Sequence, residues 1–420
     1  MGPEEHGGHC ELEFDGLEVS ADDVLLGEGQ GMKVTQIRLG PARLTHCMRW
    51  LGLAKRCMEI ASAYALKELS RRRHLAHGGV HQQRRHRLVL QRLGQLRDPF
   101  RPTPWLYNAH LQLLWLLLRE AIAPPLRYDR TDVLTMRDSG TTALDWLGLD
   151  EDATVPTVVV LHSITGDAQS MRGIVADLRR QTGWRIVVCT RRGHGGLPLT
   201  APVLNTMGST DDLREQLQRI HAHFPESPLY AVGVSAGSAL LVRYLGEEGE
   251  RSLIRAGIAY CPGYDISVAW SRVHRAYSRW MANRLKRHFL EPNFPMFGNL
   301  STYRLCLATR DVEQFHQHFY EIAGSANVAD YLERSNPVLV FDGVAVPVLI
   351  LNADDDPVCV VENALDHVET IRHLPDALLV RTARGSHCAF FEGWLAGAWA
   401  HRLFARYLVA AFELSEHRRT

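Results

Sequence analysis

The stretch Gly233-Val234-Ser235-Ala236-Gly237 has the form G-x-S-x-G, and its flanks constrain the fold more than any other part of the chain. Pro228 to Val232 before it is short and apolar enough for a buried strand, and Ser238 to Leu245 after it reads as a helix. A serine on such a strand-to-helix turn is held in strained backbone, with its hydroxyl exposed above a sheet. Glycine is needed on both sides because a Cβ there would collide with the neighbouring strand and helix. Ser235 is therefore the candidate nucleophile.

A serine hydroxyl needs a base to take its proton, and the base needs a carboxylate to fix its tautomer. Val346 to Leu351 reads as another buried strand and runs into Asn352-Ala353-Asp354-Asp355-Asp356-Pro357-Val358. Three aspartates compete there. Asp356 is the choice because it directly precedes the Pro-Val that ends the turn, with Asp355 as the alternative. Ala377 to Val380 reads as a last strand, followed by Arg384-Gly385-Ser386-His387. With 21 histidines in the chain, residue type alone selects none. His387 is singled out by position, after a glycine turn and before the amphipathic stretch Phe390 to Leu408.

An oxyanion hole needs converging donors. One is the N–H of Ala236, the residue after the nucleophile. The loop His162-Ser163-Ile164-Thr165-Gly166, which follows the apolar run Thr157 to Leu161, offers the Ile164 N–H as the other. His162 and Asp167 also fit an H-x4-D spacing. Two fixed positions in six residues are a poor signal, and both are read as structural.

Between residues 155 and 260 apolar strand-like runs alternate with helical patterns, which predicts a parallel sheet with helices on both faces. The rhythm stops between Gly263 and Asp342, a stretch carrying Trp270, Tyr277, Trp280, Phe289, Phe294 and Phe297. A helical cap over residues 264–342 is expected, shaping an apolar pocket. The 420 residues suit one large domain with an appendage, divided near residue 95. The 47 basic and 47 acidic residues cancel, so no global field would draw the chain to nucleic acid. Eight cysteines are scattered with no C-x-x-C and no metal spacing, as reduced thiols are. Met1 to Cys10 is polar and reads as no signal peptide. The longest apolar run, Leu111 to Leu118, is too short to span a bilayer. A cytoplasmic location is expected, with peripheral membrane contact left open. No metal, organic cofactor or partner protein is implied.

Residues 99–408 resemble the α/β-hydrolase-domain (ABHD) lipid-esterase family, of the AB hydrolase 4 type. The matching blocks are Trp105 to Gln112, Leu144-Asp145-Trp146, Leu161 to Gly166, Arg191-Arg192-Gly193-His194-Gly195-Gly196, Gly233 to Ser238, and Gly385 to Gly393. The resemblance implies an α/β-hydrolase fold and a triad of Ser235, Asp356 and His387. It also implies a serine esterase or lipase acting on acylglycerols or other lipid esters. Two other readings stand beside it: a catalytically silent interaction protein on the same scaffold, and an acyltransferase. The chain departs from the family where His162-Ser163 replaces His-Gly and where Gly237-Ser238 replaces Gly-Gly. Ser163 is expected to narrow the backbone angles of the oxyanion loop.

Residues 12–70 resemble a piece of an acyl-CoA dehydrogenase, on Val24 to Gly31 and Arg38 to Arg49. Apolar spacing across Leu51, Ala54, Met58, Ala61 and Ala65 independently supports a helix. No flavin residue is assigned. Arg71-Arg72-Arg73 and Arg84-Arg85-His86-Arg87 make the following linker basic, so residues 1–94 read as fragment plus linker. It is either a genuine fusion in which the helix binds a partner or a spurious exon in a gene model, and the second is the expectation. A lone helix gains little from its own hydrogen bonds. Removing residues 1–90 should therefore leave hydrolase turnover and melting temperature nearly unchanged. A truncated chain that aggregates or melts many degrees lower would show that the helix covers an apolar hydrolase surface.

Overall fold

The apolar runs pair into one eight-stranded sheet in the computed structural model, which describes residues 13–72, 93–96, 100–374 and 376–416. The strands are β1 (Arg130–Thr135), β2 (Thr141–Leu147), β3 (Thr157–Leu161), β4 (Arg185–Thr190), β5 (Leu229–Val234), β6 (Ile254–Tyr260), β7 (Val348–Ala353) and β8 (Ala377–Thr382). Their order is β1-β2-β4-β3-β5-β6-β7-β8. From β4 to β8 every pairing is parallel, whereas β1 and β2 add an antiparallel edge.

The parallel strands are apolar throughout because both faces are covered. Val158 and Val160 face one side, against Val175 and Leu178 of a helix spanning Arg172–Thr182 and Leu403 and Phe404 of the carboxyl-terminal helix Trp399–Glu416. Val159 and Leu161 face the other side, against Leu217 of a helix spanning Thr210–His223 and Leu241 of a helix spanning Ala236–Glu248. The alternating strand-and-helix expectation matches this arrangement.

The edge pair was not expected from the sequence. β1 alternates exposed and half-buried residues and so lacks an apolar run. β2 carries Asp145 in the middle of a buried stretch. That carboxylate accepts hydrogen bonds from the Thr131 and Thr190 hydroxyls, both at 2.7 Å. Burial is tolerated because the oxygens are satisfied.

Between β6 and β7 the chain leaves the sheet and forms helices at Ile266–Arg272, Arg275–Leu285, Tyr303–Ala308, Val312–His318 and Val328–Ser335. This helical insertion has its own core, built on Met281, Phe289, Phe297, Phe315 and Tyr331. Trp280 and Phe294, expected in the cap's apolar lining, are exposed. A further helix, α1, spans Gly31–Arg72 and includes Pro41. It belongs to a unit Met1–His77, distinct from the unit Gly78–Thr420. Cys10, Arg73 and Arg84 to Arg87 lie outside the described residues. No helix among the described residues is long and apolar enough to cross a membrane.

The helix Ala236–Glu248 packs on the short helical segment Pro337–Gly343 by backbone contact. A Cβ on Gly246 would stand 2.1 Å from the Val340 carbonyl oxygen. Glycine to alanine inside a helix ordinarily stabilises by about 1 kcal/mol. Here the clash with backbone outweighs that gain, since overpacking costs about 1–3 kcal/mol. Gly246→Ala should therefore lower the urea midpoint of unfolding. A raised midpoint would show that Pro337–Gly343 moves aside freely.

Candidate active site

Strand register assembles the site. Leu161 pairs with Gly233, so the loops after β3 and β5 begin side by side. Val234 pairs with Tyr260, Tyr260 with Leu351, and Ala353 with Thr382. The loops carrying Ser235, Asp356 and His387 thus leave the same carboxyl edge of the sheet. Sites of open parallel sheets form at that edge, where the strand order reverses. Here the reversal lies between β3 and β5.

Ser235 sits at φ 53° and ψ −116°, a region that side chains rarely adopt. Its N–H donates to the Tyr260 carbonyl at 2.9 Å. The flanking glycines permit this turn. A Cβ on Gly233 would stand 2.4 Å from the Gly237 carbonyl oxygen, and one on Gly237 would stand 2.2 Å from the Leu161 carbonyl oxygen. Ser238, where the family pattern has glycine, is buried, and its hydroxyl donates to the Ser235 carbonyl.

His387 Nε2 lies 2.8 Å from Ser235 Oγ, and its Nδ1 lies 2.9 Å from Asp356 Oδ2. The second carboxylate oxygen of Asp356 accepts from the Val358 and Cys359 N–H groups at 2.7 and 2.9 Å. Asp356 is buried and every oxygen is used, so its orientation is set. Burial opposes charge on His387. The Asp356 carboxylate, by its charge and its hydrogen bond, nevertheless holds the imidazole well above its ordinary 6.5. Cys359 also touches the ring, but burial pushes that thiol up to about 11. It stays neutral near pH 7, so the carboxylate carries the rise.

The other two aspartates do other things. Asp354 pairs with Arg381 at 2.9 Å at the surface. Asp355 is half-buried, and burial pushes its carboxyl up to about 6. His162 and Asp167 do not meet: Asp167 Oδ1 accepts from the Ser170 N–H at 2.7 Å, while the His162 ring serves the loop backbone. The Arg191 N–H donates to His162 Nε2 at 3.1 Å, which leaves the proton on Nδ1 to donate to the Ser163 carbonyl at 2.9 Å. Burial, with the Arg191 charge, keeps His162 neutral.

Ile164 and Ala236 both line a cavity of about 40 Å³ beside Ser235, with Trp270, Val273 and Met281 of the helical insertion. Arg191 was not singled out from the sequence. It is buried, and among the described residues no carboxylate lies within ion-pair distance of it. Burial lowers its guanidinium to about 10. Its Nη2 donates to the Ser163 carbonyl at 2.5 Å and to the His162 carbonyl at 3.4 Å. In a trans peptide the C=O of one residue points opposite to the N–H of the next. Anchoring the Ser163 carbonyl on Arg191 therefore aims the Ile164 N–H away from Arg191. Ser163 itself has no positive φ, so serine in place of glycine brings no strain here. The only sequence signal for Arg191 was its place in the Arg191 to Gly196 block.

The family model described as alpha/beta hydrolase fold matches residues 156–393, more than half of the chain. This chain belongs to the alpha/beta hydrolase fold family. The model for the acyl-CoA dehydrogenase carboxyl-terminal domain matches residues 29–91. Among relatives, the hydrolase is 27% identical to mouse (Mus musculus) phospholipase ABHD3 over 75% of this chain and 79% of that one. It is 28% identical to the embryogenesis-associated protein EMB8 of Picea glauca, over 77% and 74%. It is 26% identical to the monoacylglycerol lipase of Saccharomyces cerevisiae, over 62% and 60%.

The electrostatics of this hydrolase give a testable sign. Asp356→Asn removes the carboxylate that raises His387 and leaves burial, which lowers it, in control. The imidazole, followed by NMR, should titrate above 6.5 in the parent and below it in the variant. A variant whose His387 still titrates above 6.5 would show that another charge holds it.

Proposed function

We propose that this hydrolase is a serine carboxylesterase that cleaves lipid esters, acylglycerols among them, with Ser235, His387 and Asp356 as its triad. One observation carries the reading: an unbroken hydrogen-bond path from Ser235 Oγ through both His387 nitrogens to a buried, fully satisfied carboxylate. A serine, an imidazole and a carboxylate so joined can generate an alkoxide-like nucleophile without outside help. The names of the relatives, a phospholipase and a monoacylglycerol lipase, support lipid esters as the substrate class.

In this reading Ser235 Oγ attacks the ester carbonyl as His387 Nε2 takes its proton. Asp356 stabilises the imidazolium, and burial makes that partnership strong because little water competes. The carbonyl oxygen becomes an oxyanion held by the N–H groups of Ala236 and Ile164, each worth roughly 3 kcal/mol. Collapse expels the alcohol, which recovers the proton from His387. Water then repeats the sequence on the acyl-enzyme and releases the acid. The apolar cavity beside Ser235, lined by Ile164, Trp270, Val273 and Met281, supports an acyl chain as the group that lies against the nucleophile.

Ser235→Ala should abolish ester turnover and labelling by a fluorophosphonate probe while the melting temperature holds. Substantial turnover in a folded variant would sink the assignment. Asp356→Asn should cost far more than Asp354→Asn or Asp355→Asn, up to about four orders of magnitude in a comparable triad. Added acceptor alcohols test acyl transfer through the ester products they would form.

Arg191 acts in this scheme as a positioning residue for the oxyanion loop. Its replacement by alanine removes the guanidinium from the His162 carbonyl and leaves the Ser163 carbonyl to the His162 ring and the Gly166 N–H, and an unpaired buried carbonyl costs about 1–3 kcal/mol. A misaimed donor can cost about a hundredfold in rate. Arg191→Ala should therefore lower kcat about a hundredfold with little change in KM. An equal loss from a raised KM would point to a substrate-binding role instead.

A further inference from the structure

Three thiols that lie far apart in sequence surround the candidate base. Cys261 follows β6, Cys359 follows the Asp356 turn, and Cys388 follows His387. The Sγ atoms of Cys261 and Cys388 and a ring nitrogen of His387 all lie within 4.8 Å of one another. We propose that Cys261, Cys388 and His387 form an inhibitory site for a thiophilic divalent cation of the Zn²⁺ or Cd²⁺ type.

The donor set suits such an ion. Two thiolates and one imidazole with a free fourth position are a known zinc arrangement, and soft sulfur ligands favour soft ions over Mg²⁺ or Ca²⁺. Tetrahedral Zn–S bonds of about 2.3 Å place two sulfurs about 3.8 Å apart, so atoms already within 4.8 Å of one another need side-chain shifts of at most about 1 Å to close on an ion. A second group, Asp356, Cys359 and His387, is also close-set. It offers one thiol, and its carboxylate already serves His387, Val358 and Cys359.

The backbone at the two cysteines is as unusual as that at Ser235. Cys261 has φ 52° and Cys388 φ 56°, where non-glycine residues are rare. Cys261 is anchored by its N–H to the Leu351 carbonyl at 2.8 Å. The Cys388 N–H donates to Cys261 Sγ at 3.3 Å, a contact that strengthens if that sulfur becomes a thiolate. Cys261 is fully buried. Cys388, however, lines a cavity of about 360 Å³ bordered by Leu116, Glu120 and Pro124 on one side and Met171 and Arg172 on the other. None of its lining residues belongs to the helical insertion, so an ion entering this cavity reaches Cys388 without passing beneath that insertion.

Binding is ligand exchange without electron transfer. Two S–H bonds and, when His387 is charged, one ring N–H give their protons to solvent, and two S–metal bonds and one N–metal bond form. Both nitrogens of His387 are already in use, one toward Ser235 and one toward Asp356. A metal on either nitrogen breaks one of those hydrogen bonds, so the loaded protein cannot activate Ser235.

The test is titration of the full chain, stripped by chelator, with CdCl₂. The ultraviolet thiolate-to-cadmium charge-transfer band and ester turnover are followed together. Turnover should fall as the band rises, and EDTA should restore it. Cys261→Ala and Cys388→Ala should each raise the half-inhibitory concentration at least about tenfold, relative to the variant's own metal-free rate. Should an alanine variant fail to fold, serine replaces it. Cys359→Ala should keep the parent's cadmium affinity, and Ser235→Ala should keep the band. Because the band needs no substrate, failure of the esterase reading leaves this test intact. Unchanged inhibition and an unchanged band in both the Cys261 and Cys388 variants would overturn the site. So would loss of cadmium affinity in Cys359→Ala, which would move the metal to the other group.

Discussion

The backbone contact between the turn after β5 and the end of β3 is the constraint on which the rest of this hydrolase depends. A Cβ at Gly237 would stand 2.2 Å from the Leu161 carbonyl oxygen and 2.7 Å from that of His162. No side chain fits, so the turn can close only with glycine, and closing it drives Ser235 into positive φ. The same contact sets the loop that starts at His162 directly beside Ser235. Ser235 and that loop are thereby placed by packed backbone, which yields less than side chains do.

Charge in the interior is organised around that contact. Arg191 and Arg192 are adjacent, and both are buried. Arg192 is held by two carboxylates, Asp138 and Asp212, and burial alone would lower its pKa, yet those partners raise it. Arg191 meets only carbonyl oxygens and ring nitrogens, and its pKa falls to about 10. The first arrangement is an ion-pair network that ties the Asp138 loop to the sheet edge. The second spends a buried cation on fixing peptide planes. A lysine could not replace Arg191 directly, since one ammonium lacks the planar spread of donors.

The surroundings of His387 combine opposite influences. Burial disfavours its charge, and Asp356 favours it. Its closest sulfur neighbours are thiols that burial keeps protonated, so they add polarisable bulk without adding charge. The same softness is what would make the ring vulnerable to a thiophilic ion.

Much of this was legible in the residues. The parallel core strands announced themselves as apolar runs because both faces are covered, and G-x-S-x-G marked its own turn because only glycine satisfies that geometry. The edge strands β1 and β2 did not, since an exposed edge and a buried aspartate both erase apolar periodicity. Asp354, Asp355 and Asp356 are chemically identical, and no local rule separates them. Reach decides: only the tertiary fold brings the Asp356 carboxylate to His387 while turning Asp354 toward Arg381. The same holds for the three thiols, which are unrelated in sequence and neighbours only because β6, β7 and β8 lie in register. The sequence by itself determined where backbone must be apolar, strained or free of side chains, because those demands act over a few neighbouring residues. Which polar groups meet was decided by the tertiary structure, because strand register sets distances between residues more than a hundred positions apart.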